Sequence, residues 1–208
     1  VQALTFTPGG YGSDHGNALG GIVQIDTASP KNNGYHGFVQ LDTIDGSFRV
    51  EGPITKKLDF SLSARRSWID IFLPLVTPNT IQLSPKYWDY QAKLRWRPTD
   101  RDEVELFVFG SDDSIEVKTK GNANPNLNAQ FGSHTFFHRI DGRWLHRFGD
   151  GAQLSVTGSV GYERPFAFSA QFGNAGFNVE TLSCPYALRA TYRKPLADFL
   201  RLDAGIDG

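Results

Sequence analysis

The chain lacks the cysteines from which disulfides and thiolate metal sites are built, and it has no excess of basic residues. Its 208 residues include one cysteine, Cys184, and no methionine. One cysteine excludes an internal disulfide and a zinc site made of several thiolates. The 21 basic and 22 acidic residues give a formal net charge of -1. Nucleic-acid binding needs a clustered basic face, so we expect no nucleic-acid partner.

Long hydrophobic runs and helical periodicity are also missing. No stretch approaches the roughly 20 apolar residues that a transmembrane helix requires. The mean hydropathy of -0.34 would suit a soluble protein. However, a membrane β-barrel alternates lipid-facing and lumen-facing residues and also averages to a polar value. A secreted β-sandwich and a membrane barrel both remain open at this point.

Apolar and polar residues alternate repeatedly along the chain, for example at residues 58–68 and 88–97. This period of two predicts strands that have one apolar and one polar face. Aromatic residues lie at the strand ends and small aliphatic residues in between, which is typical of the girdles at membrane interfaces. The predicted girdle residues are Trp68, Trp88, Tyr90, Trp96, Trp144, Tyr162 and Tyr192.

The predicted polar faces carry full charges in mid-strand, as a solvated or plugged lumen would allow. The candidate lumen-face arginines are Arg65, Arg95, Arg139, Arg143 and Arg189. We favour ion pairing between a plug and the barrel, together with hydration, for them, with contact to an anionic ligand as the alternative. Arg66 instead falls on the apolar face, where lipid phosphates at the outer interface could pair with it. In the bilayer centre it would cost about 2–4 kcal/mol.

Connections alternate between short and long, which is typical of an outer-membrane barrel. Short turns are predicted at residues 55–57, 98–102, 149–151 and 195–198, and loops at residues 73–86, 118–133 and 166–180. Asp45-Gly46 predicts a two-residue hairpin turn. A first short strand is predicted at residues 21–27. About nine barrel strands follow at residues 35–44, 47–54, 58–70, 87–97, 103–116, 135–148, 152–165, 181–194 and 200–207.

Residues 8–27 read PGGYGSDHGNALGGIVQIDT and invite three interpretations. A phosphate-binding loop would need a following Lys-Ser/Thr and a helix, which the sequence does not offer. A metal site at Asp14 and His15 would need further ligands at a useful spacing. Glycines that let a strand pack closely fit best. We predict no catalytic, cofactor-binding or metal-ligating residue, and no enzymatic activity.

The same stretch resembles the end of the plug domain of TonB-dependent outer-membrane transporters. The matching residues are Tyr11, Gly12, Gly16, Gly20, Gly21, Ile22, Val23, Ile25 and Thr27. YHGFVQLD, from residue 35, resembles the first barrel strand of that family. VEGPITKKLDFSLSARRSWID, from residue 50, resembles the second strand, a periplasmic turn and the third strand. PKYWDYQAKLRWRPTDRDEVELFVFGSDD, from residue 85, resembles the next hairpin.

The resemblance implies an all-β fold. Residues 1–30 would end the plug domain, and residues 35–208 would begin a transmembrane antiparallel barrel of about 22 strands. It implies a Gram-negative outer-membrane transporter that imports a scarce ligand, such as a siderophore or carbohydrate, and no cofactor. Expected partners are outer-membrane lipid, lipopolysaccharide and, through a region not included in these residues, a TonB-type energy-coupling protein.

A plugged barrel that serves as a structural component of a cell-surface complex is the alternative, and lipoprotein or other surface partners would accompany it. A secreted β-sandwich binding module is the third possibility. Ligand contacts are expected from the plug apex and the long loops. The candidates are Asp14, His15, Asn17, Asn122, Asn124, Asn126 and Phe168. For Asp14, His15 and Asn17 we favour bracing of the plug against the wall.

Overall fold

The computed structural model describes residues 2–10, 20–76, 81–119 and 128–208. Two short strands come first, β1 (Ala3–Thr7) and β2 (Ile22–Asp26), which pair with each other. The other strands are β3 (His36–Leu41), β4 (Asp45–Thr55), β5 (Leu58–Ser67), β6 (Ile81–Trp96), β7 (Asp102–Thr119), β8 (Ala129–Arg147), β9 (Gln153–Phe172), β10 (Ala175–Ser183), β11 (Tyr186–Ala197) and β12 (Leu200–Asp207). One helix, α1 (Ile69–Val76), follows β5.

Strands β3 to β12 form one antiparallel sheet of ten strands. Neighbours in sequence are neighbours in the sheet, except at β9. The C-terminal half of β9 pairs with β10, and its N-terminal half pairs with β11. The predicted all-β antiparallel class is therefore confirmed. Within the described residues the sheet is open, with β3 and β12 at its edges. Among the described residues, no helix combines the length and the apolar character needed to cross a membrane.

Cross-strand register sorts the side chains of this sheet into two faces. Residues paired across antiparallel strands point to the same side. One row joins Phe60, Leu94, Leu106, Gly142, Gly158 and Leu188. We call its side the apolar face. The neighbouring row joins Asp59, Arg95, Glu105, Arg143, Thr157, Arg189 and Asp207. We call its side the polar face.

Burial in this sheet is the reverse of a globular core. Among the described residues, the buried hydrophobic side chains are Ala152 and Ala170, whereas Glu51, Asp59, Ser67 and Lys93 are buried polar ones. Large apolar side chains on the apolar face stay open, with Val160 53% and Leu188 60% exposed. The apolar face is therefore left to be covered by something other than the described chain.

The polarity of the two faces inverts beyond Trp88. Toward the far end of β6 and β7, the side that was apolar carries Lys86, Ser114 and Glu116, and the opposite side carries Leu83 and Val117. The apolar band is thus bounded at this end, and polar side chains continue the same surface. A band with such an edge is typical of a surface that passes from lipid into water.

The four predicted short connections, β4–β5, β6–β7, β8–β9 and β11–β12, all lie at one end of the strands. The short β3–β4 and β9–β10 turns lie at the opposite end. At the β8–β9 turn, the Lys194 ammonium lies 2.8 Å from the Asp150 carboxylate. This hydrogen bond, followed by that from the Ala152 N–H, lowers the pKa of Asp150. The four predicted short turns are therefore observed. We call the end of the strands at which they lie the turn edge.

The predicted hairpin turn at Asp45-Gly46 is wrong. Both residues lie inside β4, where they pair with Ser67 and Arg66. The turn lies at residues 42–44, because the Asp42 carboxylate accepts the N–H groups of Ile44 at 2.8 Å and Asp45 at 2.9 Å. An Asx-type turn therefore replaces the two-residue turn.

The predicted loops are shorter than expected. Residues 73–86 contain the end of α1 and the start of β6, and residues 118–133 contain the ends of β7 and β8. Residues 166–180 belong mostly to a β9–β10 hairpin, which also splits the strand expected at 181–194. Main-chain pairing continues where the apolar pattern stops, because ladder hydrogen bonds do not depend on which side chains face out.

Gly110 is closely packed at the middle of β7, while Gly142 on the neighbouring strand is open. A Cβ on Gly110 would lie 2.6 Å from the Phe137 carbonyl oxygen and 2.9 Å from the Tyr90 ring, but one on Gly142 would meet nothing within 4 Å. We predict that Gly110→Ala lowers the free energy of unfolding by about 1–3 kcal/mol through overpacking.

Gly142→Ala is the matched control, because both glycines lie on the apolar face. It should change the stability by less than about 1 kcal/mol. Denaturant unfolding of the full protein in detergent micelles measures both variants. Equal destabilisation by the two would contradict the packing described for Gly110.

Candidate functional site

The polar face carries a row of alternating charges across four neighbouring strands. Asp59, Arg95, Glu105 and Arg143 are register partners from β5 to β8. Arg95 lies 3.1 Å from Asp59, and Arg143 lies 4.0 Å from Glu105 and 3.4 Å from Glu103. Opposite charges at adjacent register positions stabilise this pairing and neutralise the face.

Asp59 is the most buried member of this row, with no exposed surface. Its Oδ2 accepts hydrogen bonds from Arg95 Nε and Nη2 and from Arg97 Nη2 at 2.5–3.3 Å. Its Oδ1 is buried and has no hydrogen-bond partner among the described residues. Two guanidinium groups thus compensate one desolvated carboxylate, which would otherwise be costly to bury.

The segment that follows β2 is attached to this row. Arg95 Nη2 donates to the Pro30 carbonyl oxygen at 2.7 Å, and Lys93 Nζ donates to Thr27 Oγ1 at 2.6 Å. Pro30 is among the most buried residues of the described chain. Lys93 is itself held by Glu105 at 3.4 Å and by the Phe107 ring at 4.9 Å. The two hydrogen bonds fix residues 27–30 on the polar face.

The five candidate lumen-face arginines all lie on the polar face, and each has an acidic partner on the same sheet. Arg65 lies 2.8 Å from Asp89, Arg139 lies 2.9 Å from Glu163, and Arg189 lies 3.1 Å from Asp207. Arg95 and Arg143 belong to the charge row. These arginines therefore pair within the sheet, and the expected pairing between a plug and a barrel stays a prediction.

The seven candidate girdle residues all lie on the apolar face, in two groups. Trp96, Trp144 and Tyr192 lie near the turn edge, and Trp68, Trp88, Tyr90 and Tyr162 lie toward the opposite edge. Trp88 and Tyr90 stack with ring centroids 5.9 Å apart. Trp68 follows β5, and its Nε1 donates to the Asp42 carbonyl oxygen at 3.0 Å. Two aromatic belts thus bound the apolar rows.

The candidate ligand contacts are only partly visible. Asp14, His15, Asn17, Asn122, Asn124 and Asn126 lie outside the described residues. Phe168 lies in β9, where it pairs with Ser133 and packs on Phe177 with ring centroids 6.0 Å apart. Its expected role in ligand contact stays a prediction. The described part of the chain has no group of three or more metal-ligating side chains.

The sequence pattern did not predict the residues that hold the segment after β2 on the sheet, namely Asp59, Lys93 and Pro30. The alternating pattern indicates on which face Asp59 and Lys93 lie but not what they contact. Asp59 and Lys93 lie on the polar side of their strands, one residue away from the apolar pattern. Only the register of β5 with β6 shows that Asp59 meets Arg95.

No protein-family model and no curated protein matches the chain. Among solved structures, the chain is similar to the siderophore receptor PirA from Acinetobacter baumannii, with 15% sequence identity and a TM-score of 0.33. The alignment covers 90% of this chain and 45% of that receptor. This chain therefore spans less than half of that receptor's length, and the functional conclusion rests on the two faces of the sheet.

Replacing the buried carboxylate tests the role of the charge row. We predict that Asp59→Asn lowers the free energy of unfolding by about 3 kcal/mol, because Arg95 and Arg97 lose the carboxylate that both contact. Denaturant unfolding of the full protein in micelles measures the change.

Asp89→Asn is the control on the same face. The Asp89–Arg65 pair is far more exposed, with 32% and 50% of the side chains accessible. Its loss should cost no more than about 1 kcal/mol. The charge row would lose its structural role if the Asp59 variant were as stable as the Asp89 variant.

Proposed function

We propose that the chain is part of a plugged outer-membrane β-barrel, with residues 35–208 as wall and residues 1–30 as the end of the plug. One observation carries the proposal. The same sheet exposes a bounded apolar band on one face and holds Thr27 and Pro30 on an ion-paired polar face. Lipid outside and a plug inside would satisfy both faces at once.

The dimensions of the apolar band fit a bilayer. Along β6 it runs from Trp96 to Trp88, which are eight residues apart and therefore about 27 Å along the strand. Strands in such barrels tilt by about 40°, so the band would stand about 20 Å tall, close to the roughly 25 Å of known barrels. A soluble monomer rarely exposes so large a continuous apolar surface.

The proposed activity is import of a scarce ligand by a TonB-dependent transporter. The resemblance of residues 8–27 to a plug end supports it, together with the attachment of residues 27–30 to the wall. Because Lys93 and Arg95 hold that segment, we expect any plug movement during import to be confined to residues N-terminal to Thr27. A siderophore or a carbohydrate is the proposed ligand class.

The test is uptake by cells of a Gram-negative host that produce the full-length protein. We expect one class of probe, radiolabelled ferric siderophores or radiolabelled oligosaccharides, to accumulate above the level of cells that lack the protein. Energy coupling through the inner membrane predicts that a protonophore, or deletion of the TonB-type protein, abolishes this accumulation.

Membrane location is checked in the same cells. The protein should remain in the outer-membrane fraction after a carbonate wash and migrate faster on a gel when it is not boiled. Recovery as a stable monomer in water without detergent would contradict the barrel. A membrane-embedded barrel whose deletion leaves every uptake unchanged would contradict transport and favour a structural role in a surface complex.

A further inference from the structure

We propose that Arg66 and Lys86 bind a phosphate group of an anionic glycolipid, whose acyl chain lies in a groove on the apolar face. This inference rests on the proposed membrane location of that face. It assigns to the wall a specific lipid site, distinct from the polar face where residues 27–30 are held.

The groove has a volume of about 640 Å³ and crosses β4 to β7. Its apolar lining is provided by Phe48, Ala64, Trp88 and Tyr90. Phe48 pairs with Ala64, and Ala64 pairs with Tyr90, so these side chains stand side by side across three strands. A concave apolar surface of this kind fits an acyl chain better than it fits water.

Two cations lie at the polar end of this groove. Arg66 is the register partner of Trp88, and Lys86 lies two residues beyond Trp88 on the same side of β6. The two positions are therefore about 7 Å apart along the strand direction. They stand where the apolar band ends, at the depth at which lipid phosphates meet an aromatic belt.

These two cations differ from the five candidate lumen-face arginines because they are unpaired among the described residues. Neither Arg66 nor Lys86 makes an ion pair or a side-chain hydrogen bond with any described residue. Arg65, the sequence neighbour of Arg66, lies on the other face and donates to Asp89 at 2.8 Å. The sheet thus pairs the candidate lumen-face arginines and leaves Arg66 and Lys86 available to a ligand.

The carboxylates around the groove do not cancel this charge. Asp89 pairs with Arg65, and Asp112 accepts from His134 at 3.1 Å. Asp70 is the one carboxylate of the lining without a partner among the described residues. Two free cations therefore face one free carboxylate, and the Ser114 hydroxyl lies across from Lys86 as a further donor.

A second cavity continues the site over β6 to β10 and makes room for a sugar headgroup. It has a volume of about 490 Å³ and shares Lys86, Asp112 and Ser114 with the groove. Its Arg164 lies over the Phe136 ring at 5.1 Å and 3.4 Å from the Glu180 carboxylate, and the Nε of Arg164 is buried without a hydrogen-bond partner among the described residues. This polar surface suits a phosphorylated sugar better than a small headgroup.

The test measures lipid binding to the full-length protein in detergent micelles by native mass spectrometry. The probes are a bis-phosphorylated lipid A, its dephosphorylated form, phosphatidylcholine and inorganic phosphate. We expect the phosphorylated glycolipid to bind most tightly. The double variant Arg66→Gln/Lys86→Gln should weaken it about thirtyfold, which corresponds to about fivefold for each cation near a lipid surface.

Lys118→Gln is the matched control, because Lys118 projects from the same side of the sheet but pairs with Glu116 at 2.9 Å. It should leave the affinity within about twofold, as expected for an exposed ion pair. Ala64→Trp fills the groove without changing charge. It should weaken lipid binding and leave the gel migration of the folded protein unchanged.

Three results would overturn the proposal: equal binding of the dephosphorylated lipid, full competition by inorganic phosphate, or equal losses in the Lys118 variant and the double variant. If the protein stays in the membrane after a carbonate wash but shows any of these results, only the lipid site fails. If the protein leaves the membrane, the barrel itself fails.

Discussion

The ion pairs of Asp59 with Arg95 and Arg97 are the constraint on which the rest of this structure depends. They join β5 to β6 at the turn edge. Because Arg95 also donates to Pro30, they connect the ten-stranded sheet to the segment after β2. A carboxylate this deeply buried requires both guanidinium groups. The register of β5 with β6 and the position of residues 27–30 are therefore fixed together.

The ion-paired charges occupy the polar face of the sheet, so the large apolar side chains lie on the other face. A single sheet cannot cover its own faces, and here the polar face holds residues 27–30 while large side chains of the apolar face stay exposed. The inversion of polarity beyond Trp88 and the two aromatic belts give that apolar face a defined height. Arg66 and Lys86 then lie at its boundary, which links the proposed lipid site to the same division of the sheet.

The alternation of residues predicted both faces correctly, since the direction of a side chain along a strand is a local property. It placed Arg95 and Arg143 on one side and Trp96 and Trp144 on the other. Contacts between strands were not predictable in this way, because the meeting of Asp59 with Arg95 depends on register. The hairpin turn predicted at Asp45-Gly46 was wrong because the Asp42 side chain caps a turn at residues 42–44 instead. Strand β6 was predicted too short because pairing continues beyond the apolar pattern.

A scan of spin labels along β6, from Trp88 to Trp96, tests most directly whether the apolar face meets lipid. Single cysteines replace each position in the full-length protein, reconstituted in bilayers, in a background without Cys184. We expect the collision rate of the spin label with apolar oxygen to peak at even-numbered positions such as 92 and 94, which share the side of Trp96. At these positions the collision rate with a polar nickel complex should stay below the rate with oxygen. Equal access of the nickel complex at positions 92 and 94 would contradict this expectation.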